Sequence, residues 1–270
     1  MHQKSAHVGR KYKNVTTKSM INHFEESEMP YGTLERFGLT QEMIEDLPVD
    51  VLQNIYNGRR SPVLPIIITA EDGETEPART RFSLVRTPEG GVDVLFFPKL
   101  DEYDLNLFNE EQKQRLMEGK TIIGYLENNE ENKEAGGKRF FQIDPESKQV
   151  HCVPMPVIGR NMQYVADRYH LTGAEMQKLQ NGDILSILNE DDEEIAIGID
   201  LNSKTGIRFA AGDEQTWKRE SKREWAKYNF GAFGCWVADD NGDLNYVHEE
   251  DYTEELWQEQ KKMGMRVMQR

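Results

Sequence analysis

"FNEEQKQRLMEGKTI", Phe108 to Ile122, lies over "LTGAEMQKLQNGDIL", Leu171 to Leu185, at a fixed offset of 63 residues. Each copy continues into a second matched segment, "RFFQIDPESKQVHCVP" from Arg139 and "IAIGIDLNSKTGIRFA" from Ile195, where Ile143, Asp144, Ser147 and Lys148 meet Ile199, Asp200, Ser203 and Lys204 at an offset of 56. The offset falls because the linker of the second copy, "NEDDEE", is shorter than "ENNEENKEAGGK" in the first. Both linkers are polar enough to be loop tips, where length is cheap. An earlier copy, "LTQEMIEDLPVDVLQNIYNGRRSPVL", closes its helical part at Gly58 as the others close at Gly119 and Gly182. Its hairpin follows, with Phe82 and Leu84, then Val92, Val94 and Phe96, bracketing the turn "TPEGG".

Each unit therefore reads as a helix ended by glycine in the left-handed conformation, then a strand, a loop and a β-hairpin. A unit of about 60 residues buries little alone, so neighbours should pack on one another. The expected class is α+β, built from tandem repeats of a small helix plus antiparallel strand and hairpin, with a C-terminal helix-hairpin-helix segment. The expected organisation is a flexible basic arm over 1–24, units over 25–100, 101–160 and 161–214, and a final segment over 215–270. "VPMPVIG", Val153 to Gly159, carries two prolines and reads as a linker between the second and third units.

Composition narrows the function class. The net charge is −15, and the first 22 residues carry five cations and no acid, so the remainder carries −20. Such a surface repels a phosphate backbone at long range, which confines any nucleic-acid contact to a local basic patch. There is no apolar run long enough to span a bilayer and no secretory leader pattern, so a cytoplasmic protein without a membrane partner is expected. Cys152 and Cys235, far apart in sequence, read as buried thiols.

The phrase "LT-x-E-x-x-x-L-x-x-G" followed by "x-I-D-x-x-S-K" resembles the tandem domains of unknown function found in proteins of Bacteroidales conjugative and mobile elements. "MPYGTLERFGLTQEMIEDL" with "LQNIYNGRRSPVLPI", between Met29 and Pro98, is similar to the N-terminal member of that pair. The resemblance implies a cytoplasmic protein whose gene travels with DNA-transfer machinery, and it implies no activity.

Candidate sites are few. "TWKRESKREWAKYNF" sets Trp217, Ser221, Trp225 and Tyr228 on one expected helical face, with Lys218, Arg219, Lys222, Arg223 and Lys227 around it. Interleaved aromatics and cations suit single-stranded DNA or RNA, and they equally suit an amphipathic helix that buries its tryptophans. The arm, with Arg10, Lys11 and Lys13, could follow a nucleic acid or the protein's own acidic surface. The Ser-Lys pairs could make periodic contacts with a long partner or simply be turn residues. The cations after the capping glycines, Arg59, Arg60 and Lys120, form a broken row because the third unit has Asp183 there.

"DDNGD", Asp239 to Asp243, fails as a calcium loop because the first and twelfth positions would be Val237 and His248, and it reads as an Asn-Gly hairpin. His151 and Cys152 are strand neighbours that face opposite ways and cannot share a metal. With no nucleophile elbow, phosphate loop or metal motif, no cofactor is expected and the chain is expected not to be an enzyme. Three readings stay open: an accessory protein binding a protein partner through an acidic composite surface, a single-stranded nucleic-acid binder, and an enzyme assembled from scattered residues.

Overall fold

The computed structural model describes residues 24–70, 72–126, 136–203, 205–220 and 225–268. It contains α1 (Tyr31–Glu35), α2 (Gln41–Glu45), α3 (Val49–Tyr56), β1 (Leu64–Thr69), β2 (Thr75–Arg86) and β3 (Val92–Pro98) in the first unit. The second holds α4 (Glu110–Met117), β4 (Ile122–Leu126), β5 (Gly137–Ile143) and β6 (Val150–Pro154). Then come α5 (Met155–Arg168), α6 (Gly173–Gln180), β7 (Leu185–Leu188), β8 (Glu194–Ile199), β9 (Ile207–Ala211) and α7 (Glu214–Glu220). The chain closes with β10 (Tyr228–Phe230), β11 (Gly234–Ala238), β12 (Leu244–His248) and α8 (Glu254–Met268). The strands form four antiparallel three-stranded meanders, β1-β2-β3, β4-β5-β6, β7-β8-β9 and β10-β11-β12. The fold is α+β in repeated small units.

The repeated phrase is a helix with both ends specified. Asn109 and Thr172 make capping boxes with Gln112 and Glu175, and Thr40 caps α2 by accepting the Met43 N–H at 3.3 Å. At the other end Gly58, Gly119 and Gly182 have φ of 72°, 76° and 82°. All three turns carry the same pair of bonds: Gly58 N–H to Ile55 O with Arg59 N–H to Asn54 O, Gly119 to Leu116 with Lys120 to Arg115, and Gly182 to Leu179 with Asp183 to Lys178. These are Schellman caps, in which a residue with a Cβ would resist the left-handed turn. The residue three before each glycine, Ile55, Leu116 or Leu179, is fully buried, contributing about 1.5–3 kcal/mol apiece. In the first unit the helix is interrupted at Pro48 and restarts, which is why it is longer there.

Strand alternation then distributes the core. On β5, Phe141 and Ile143 face α4 with Leu116 and Ile122, while Phe140 on the opposite face packs with Ile158, Met162 and Val165 of α5 and with Ile197. The first hairpin pairs Phe82 with Phe96 and Leu84 with Val94 across the Thr87–Gly91 turn, as the alternation predicts. Trp236 and Leu244 of the last sheet enter the core of the first unit, and the Trp236 indole N–H donates to Met43 O at 2.9 Å.

Polar side chains join the units. Gln142 donates its amide to Gly119 O at 3.2 Å and Ile199 O at 3.3 Å and accepts the Leu201 N–H at 2.7 Å. Gly182 lies so close to Thr121 that a Cβ would sit 1.9 Å from its carbonyl oxygen. Asp46 accepts the N–H groups of Ala232 at 2.5 Å and Phe233 at 3.0 Å and the Tyr246 hydroxyl, tying the last sheet to α2.

Three expectations need correction. The stretch Val153 to Gly159 is no linker: β6 ends at Pro154 and α5 starts at Met155, so the helix runs across the boundary expected at 160. Prolines are tolerated in the first turn because its N–H groups have no helical acceptor, and Ile158, Met162 and Val165 give the helix its buried stripe. Trp217, Trp225 and Tyr228 do not share a helical face, since Trp217 lies in α7, Trp225 lies in irregular chain and Tyr228 opens β10. Finally, α7 packs Trp217 on Ala196 and Ala210 of the third sheet, so the helix expected to open the last segment belongs to the unit before it. The hairpin across Asn241-Gly242 is present, Gly242 having φ of 80°, and the short β10 completes it as a fourth meander.

Candidate functional site

Three hairpin turns and the first unit surround a cleft of about 930 Å³. The β5–β6 turn brings Asp144 to Lys148, the β8–β9 turn Asp200 and Asn202, and the β11–β12 turn Asn241 to Asp243. The first unit adds Val63, Arg81 and Lys99, and Trp217 and Trp225 also line the wall. The turns are built alike. Asp144, Asp200 and Asp239 each accept the N–H two residues on, from Glu146 at 3.1 Å, Asn202 at 3.0 Å and Asn241 at 2.9 Å. These are Asx turns, in which a short carboxylate takes the place of a backbone acceptor.

Cations of the first unit answer these turns. Arg81 Nη1 donates to Asp144 Oδ1 at 2.6 Å, and Arg81 Nε donates to Ser61 O at 2.7 Å. Ser147 Oγ donates to Asp144 Oδ2 at 2.7 Å, Arg60 Nη1 lies 3.7 Å away and His151 Nε2 3.6 Å away. Asp144 has no exposed surface. Burial alone would raise its pKa, but the approach of His151, the Arg81 charge and the hydrogen bond from Ser147 outweigh that and hold it well below the usual carboxylate range. His151 is held below its ordinary value, first by burial and then by the Arg60 and Arg81 charges. Arg60 Nη1 also approaches His151 Nδ1 at 2.6 Å. The same Nη1 also lies against His151 Nε2, and a cation set against the ring favours the neutral imidazole, in line with the lowered pKa. Arg60 further lies 3.7 Å over the Phe97 ring, and burial lowers its pKa to about 10. At the last turn Lys99 Nζ donates to Asp243 Oδ1 at 2.7 Å, and Arg79 donates to Leu244 O at 3.1 Å and Asn245 Oδ1 at 2.6 Å.

The Asp200 turn is arranged differently. Its main partner, Arg208, comes from its own unit: Nε donates to Asp200 Oδ2 at 2.7 Å, Nη2 donates to Trp217 O at 2.8 Å, and the guanidinium lies 3.7 Å over the Trp217 ring. Two buried side-chain atoms of this turn and its partner, Asn202 Oδ1 and Arg208 Nη1, have no hydrogen-bond partner among the described residues, and the turn that ends α3 holds two more, Asn57 Oδ1 and Arg59 Nε. Arg59 feels the Asp200 charge, and its pKa is lowered by burial. An unmet buried polar group costs about 1–3 kcal/mol, so each of these atoms is a concession.

The basic-aromatic segment is dispersed. Trp217 is 2% exposed, donates its indole N–H to Arg208 O at 3.1 Å and fills the space above Gly198. Trp225 packs against the core of the first unit. Lys218 pairs with Glu214 at 2.9 Å, Arg219 is exposed, and Lys227 lies 3.5 Å from Glu255, which also accepts the Tyr228 hydroxyl at 2.6 Å. Lys222, Arg223, Lys204 and the arm with Arg10, Lys11 and Lys13 lie outside the described residues. Ser147 is buried and the Lys148 ammonium donates to Asp101 O, so this pair serves the turn and the joint between units. His151 and Cys152 face opposite ways as expected, one into the Asp144 network and the other toward Phe141 and Val150. Cys235 is buried, with its thiol pushed up to about 11 by desolvation, and Cys152 is half-buried.

Arg81, Asp144, Asp200 and Arg208 escaped the sequence reading as site residues. The available signal was that the two aspartates recur at the same place of the shared Ile-Asp-x-x-Ser-Lys phrase.

A family model described as a protein of unknown function (DUF4099) matches residues 24–107. The matched stretch covers the first unit and the chain leading into α4, and it includes every cation that answers the Asp144 and Asp243 turns. No curated protein and no solved structure matches the chain. Among the described residues no helix is long and apolar enough to cross a membrane.

Proposed function

We propose that this chain is a non-enzymatic interaction protein that binds a protein partner through an acidic composite surface, as a cytoplasmic accessory of a mobile genetic element. One observation carries the reading. Exposed acids from the first unit and from the last sheet adjoin each other: Glu42 lies 3.9 Å from His248, and Glu249, Glu250 and Asp251 follow directly in the chain. Glu26 and Glu45 extend the face over Tyr31 and Tyr56, whose hydroxyls are pushed up by burial and by those acids, Tyr31 to about 12. The bonds of Asp46 to Ala232 and Phe233 hold the two halves in register, so a partner meets a preformed surface. A basic protein partner suits it by charge. The association with conjugative and mobile elements of Bacteroidales rests on sequence resemblance alone, that of the repeated units and of residues 29–98.

The nucleic-acid alternative loses its stacking platform, because Trp217 is buried and Tyr228 is bonded to Glu255. The experiment is affinity purification of the full chain with cross-linking, beside a variant carrying Glu42→Lys, Glu45→Lys and Glu250→Lys, and a titration with a labelled single-stranded oligonucleotide at low salt. The reading expects a protein cross-linked at the acidic face and lost in the variant, with no oligonucleotide bound. Tight, salt-sensitive oligonucleotide binding with no protein captured would replace it by the alternative.

A further inference from the structure

We propose that two copies of this chain pair through α8, with the two helices antiparallel. The helix is longer than the body beneath it. Its start is docked: Leu256 is buried on the last sheet with Cys235 and Val247, the Tyr252 and Trp257 rings lie 5.1 Å apart, and Glu255 accepts the Tyr228 hydroxyl. From Lys261 to Gly264 every residue is exposed, yet the helix runs on to Met268. A short helix is marginal in water unless one face is packed. The spacing of Leu256, Trp257, Gln260, Met263, Gly264 and Val267 puts them on one face, so the stripe that is docked at one end continues bare at the other, where Met263 is 41% exposed. Gly264 weakens the helix by about 1 kcal/mol relative to alanine, and a Cβ there would meet nothing within 4 Å. A single copy thus gives no packing reason for the glycine, whereas the close approach of a second helix does.

Charge names the occupant of the bare half. The first half of α8 carries Glu254, Glu255 and Glu259 with no cation, and the second carries Lys261, Lys262 and Arg266 with no acid. A uniformly acidic or basic partner would match one half and repel the other. A second α8, reversed about a two-fold axis near Gln260, sets the acidic half of each helix along the basic half of its partner, while a parallel pair would set like against like. In this arrangement each bare half runs beside the docked half of the other copy. Lys262 pairs within its own helix with Glu259 at 2.7 Å, but this ion pair is solvent-accessible, so exchanging it for one between copies costs little. A helix of 15 residues is about 22 Å long, so the pair buries less than the roughly 800 Å² per partner of a standard interface, and the dimer is expected to be reversible, with a Kd on the order of 10 μM.

Glu249–Asp251 lead directly into α8, so pairing sets two acidic faces on one particle. That consequence rests on the function proposed above; the pairing does not, so either can fail alone. The test is sedimentation velocity of the full chain over a concentration series spanning the micromolar range. A monomer–dimer equilibrium is expected, and Met263→Lys, at an exposed position, should weaken it at least about tenfold while leaving the circular dichroism spectrum unchanged. Lys262→Glu with Arg266→Glu makes the helix acidic throughout, and Glu255→Lys with Glu259→Lys makes it basic throughout. Each double variant alone should be monomeric, and an equimolar mixture of the two should restore the dimer. A parent chain that is monomeric at every concentration, a dimer that survives Met263→Lys and both charge variants, or a mixture that stays monomeric overturns the proposal.

Discussion

The Asp144 and Asp200 turns occupy the same place in successive units, begin with the same residue and make the same Asx bond, yet they are stabilised in different ways. Asp144 is completed from outside, by Arg81 and Arg60 of the first unit, and it has no exposed surface. Asp200 is completed mainly from inside, by Arg208 eight residues on, and polar atoms around it go unpartnered. The repeat therefore specifies a turn, and the neighbour decides what the turn does. One copy became a joint between units, while the other kept unused hydrogen-bonding capacity beside an open cleft.

Substitution at each turn sharpens the contrast. Asp144→Asn should be the most damaging, costing about 3 kcal/mol in urea denaturation, because it takes the nearest counter-ion from the buried Arg81 guanidinium and from Arg60. Equal stability of this variant and the parent would mean that the joint between the first two units is not electrostatic. Trp217→Ala comes next, close behind at about 3 kcal/mol, toward the low end for an aromatic truncation, since the Arg208 side chain can settle into part of the cavity. Asp200→Asn should cost about 1–2 kcal/mol, because Arg208 keeps its bond to Trp217 O and some solvent contact. A loss as large as that of Asp144→Asn would erase the distinction.

Acid should separate the turns as well. His151 has a lowered pKa in the folded state, so the unfolded chain takes up the proton first, and stability falls as pH drops below about 6.5. Asp144, also lowered, contributes stability that is complete above its unfolded value and declines as pH falls below about 3.9. His151→Gln should remove the first decline and leave the second, as measured by urea midpoints from pH 7 to pH 3. The smallest effect belongs to Glu42→Gln with Glu250→Gln, which should move stability by no more than about 0.5 kcal/mol because both side chains are exposed.

Much of this architecture is legible in the sequence because its signals are local. Capping residues, the glycines of the three Schellman turns and the alternation on either side of "TPEGG" each act within a few positions, so the unit could be read from any one copy. The limits came where local signals conflict with packing. Two prolines look like a break at Val153 to Gly159, but the spacing of Ile158, Met162 and Val165 continues a helix through them. The three residues of β10 are too few to show alternation. Arg81 looks like any strand cation, and only its contact with Asp144, 63 residues away, reveals its role. The cations after the capping glycines read as a broken surface row because nothing local says that Arg59 and Arg60 turn inward.

The stretch matched by the family model and the body that folds are not the same object. Asp46 lies within the matched stretch and its partners lie 186 to 200 residues further on, while Trp236 and Leu244 complete a core that the stretch begins. Inheritance of the first unit by a different chain would thus transfer an open socket of charge and apolar surface. A recipient would have to supply a matching plug, so exchange between such proteins is constrained at pairs of distant positions rather than at the seams between units.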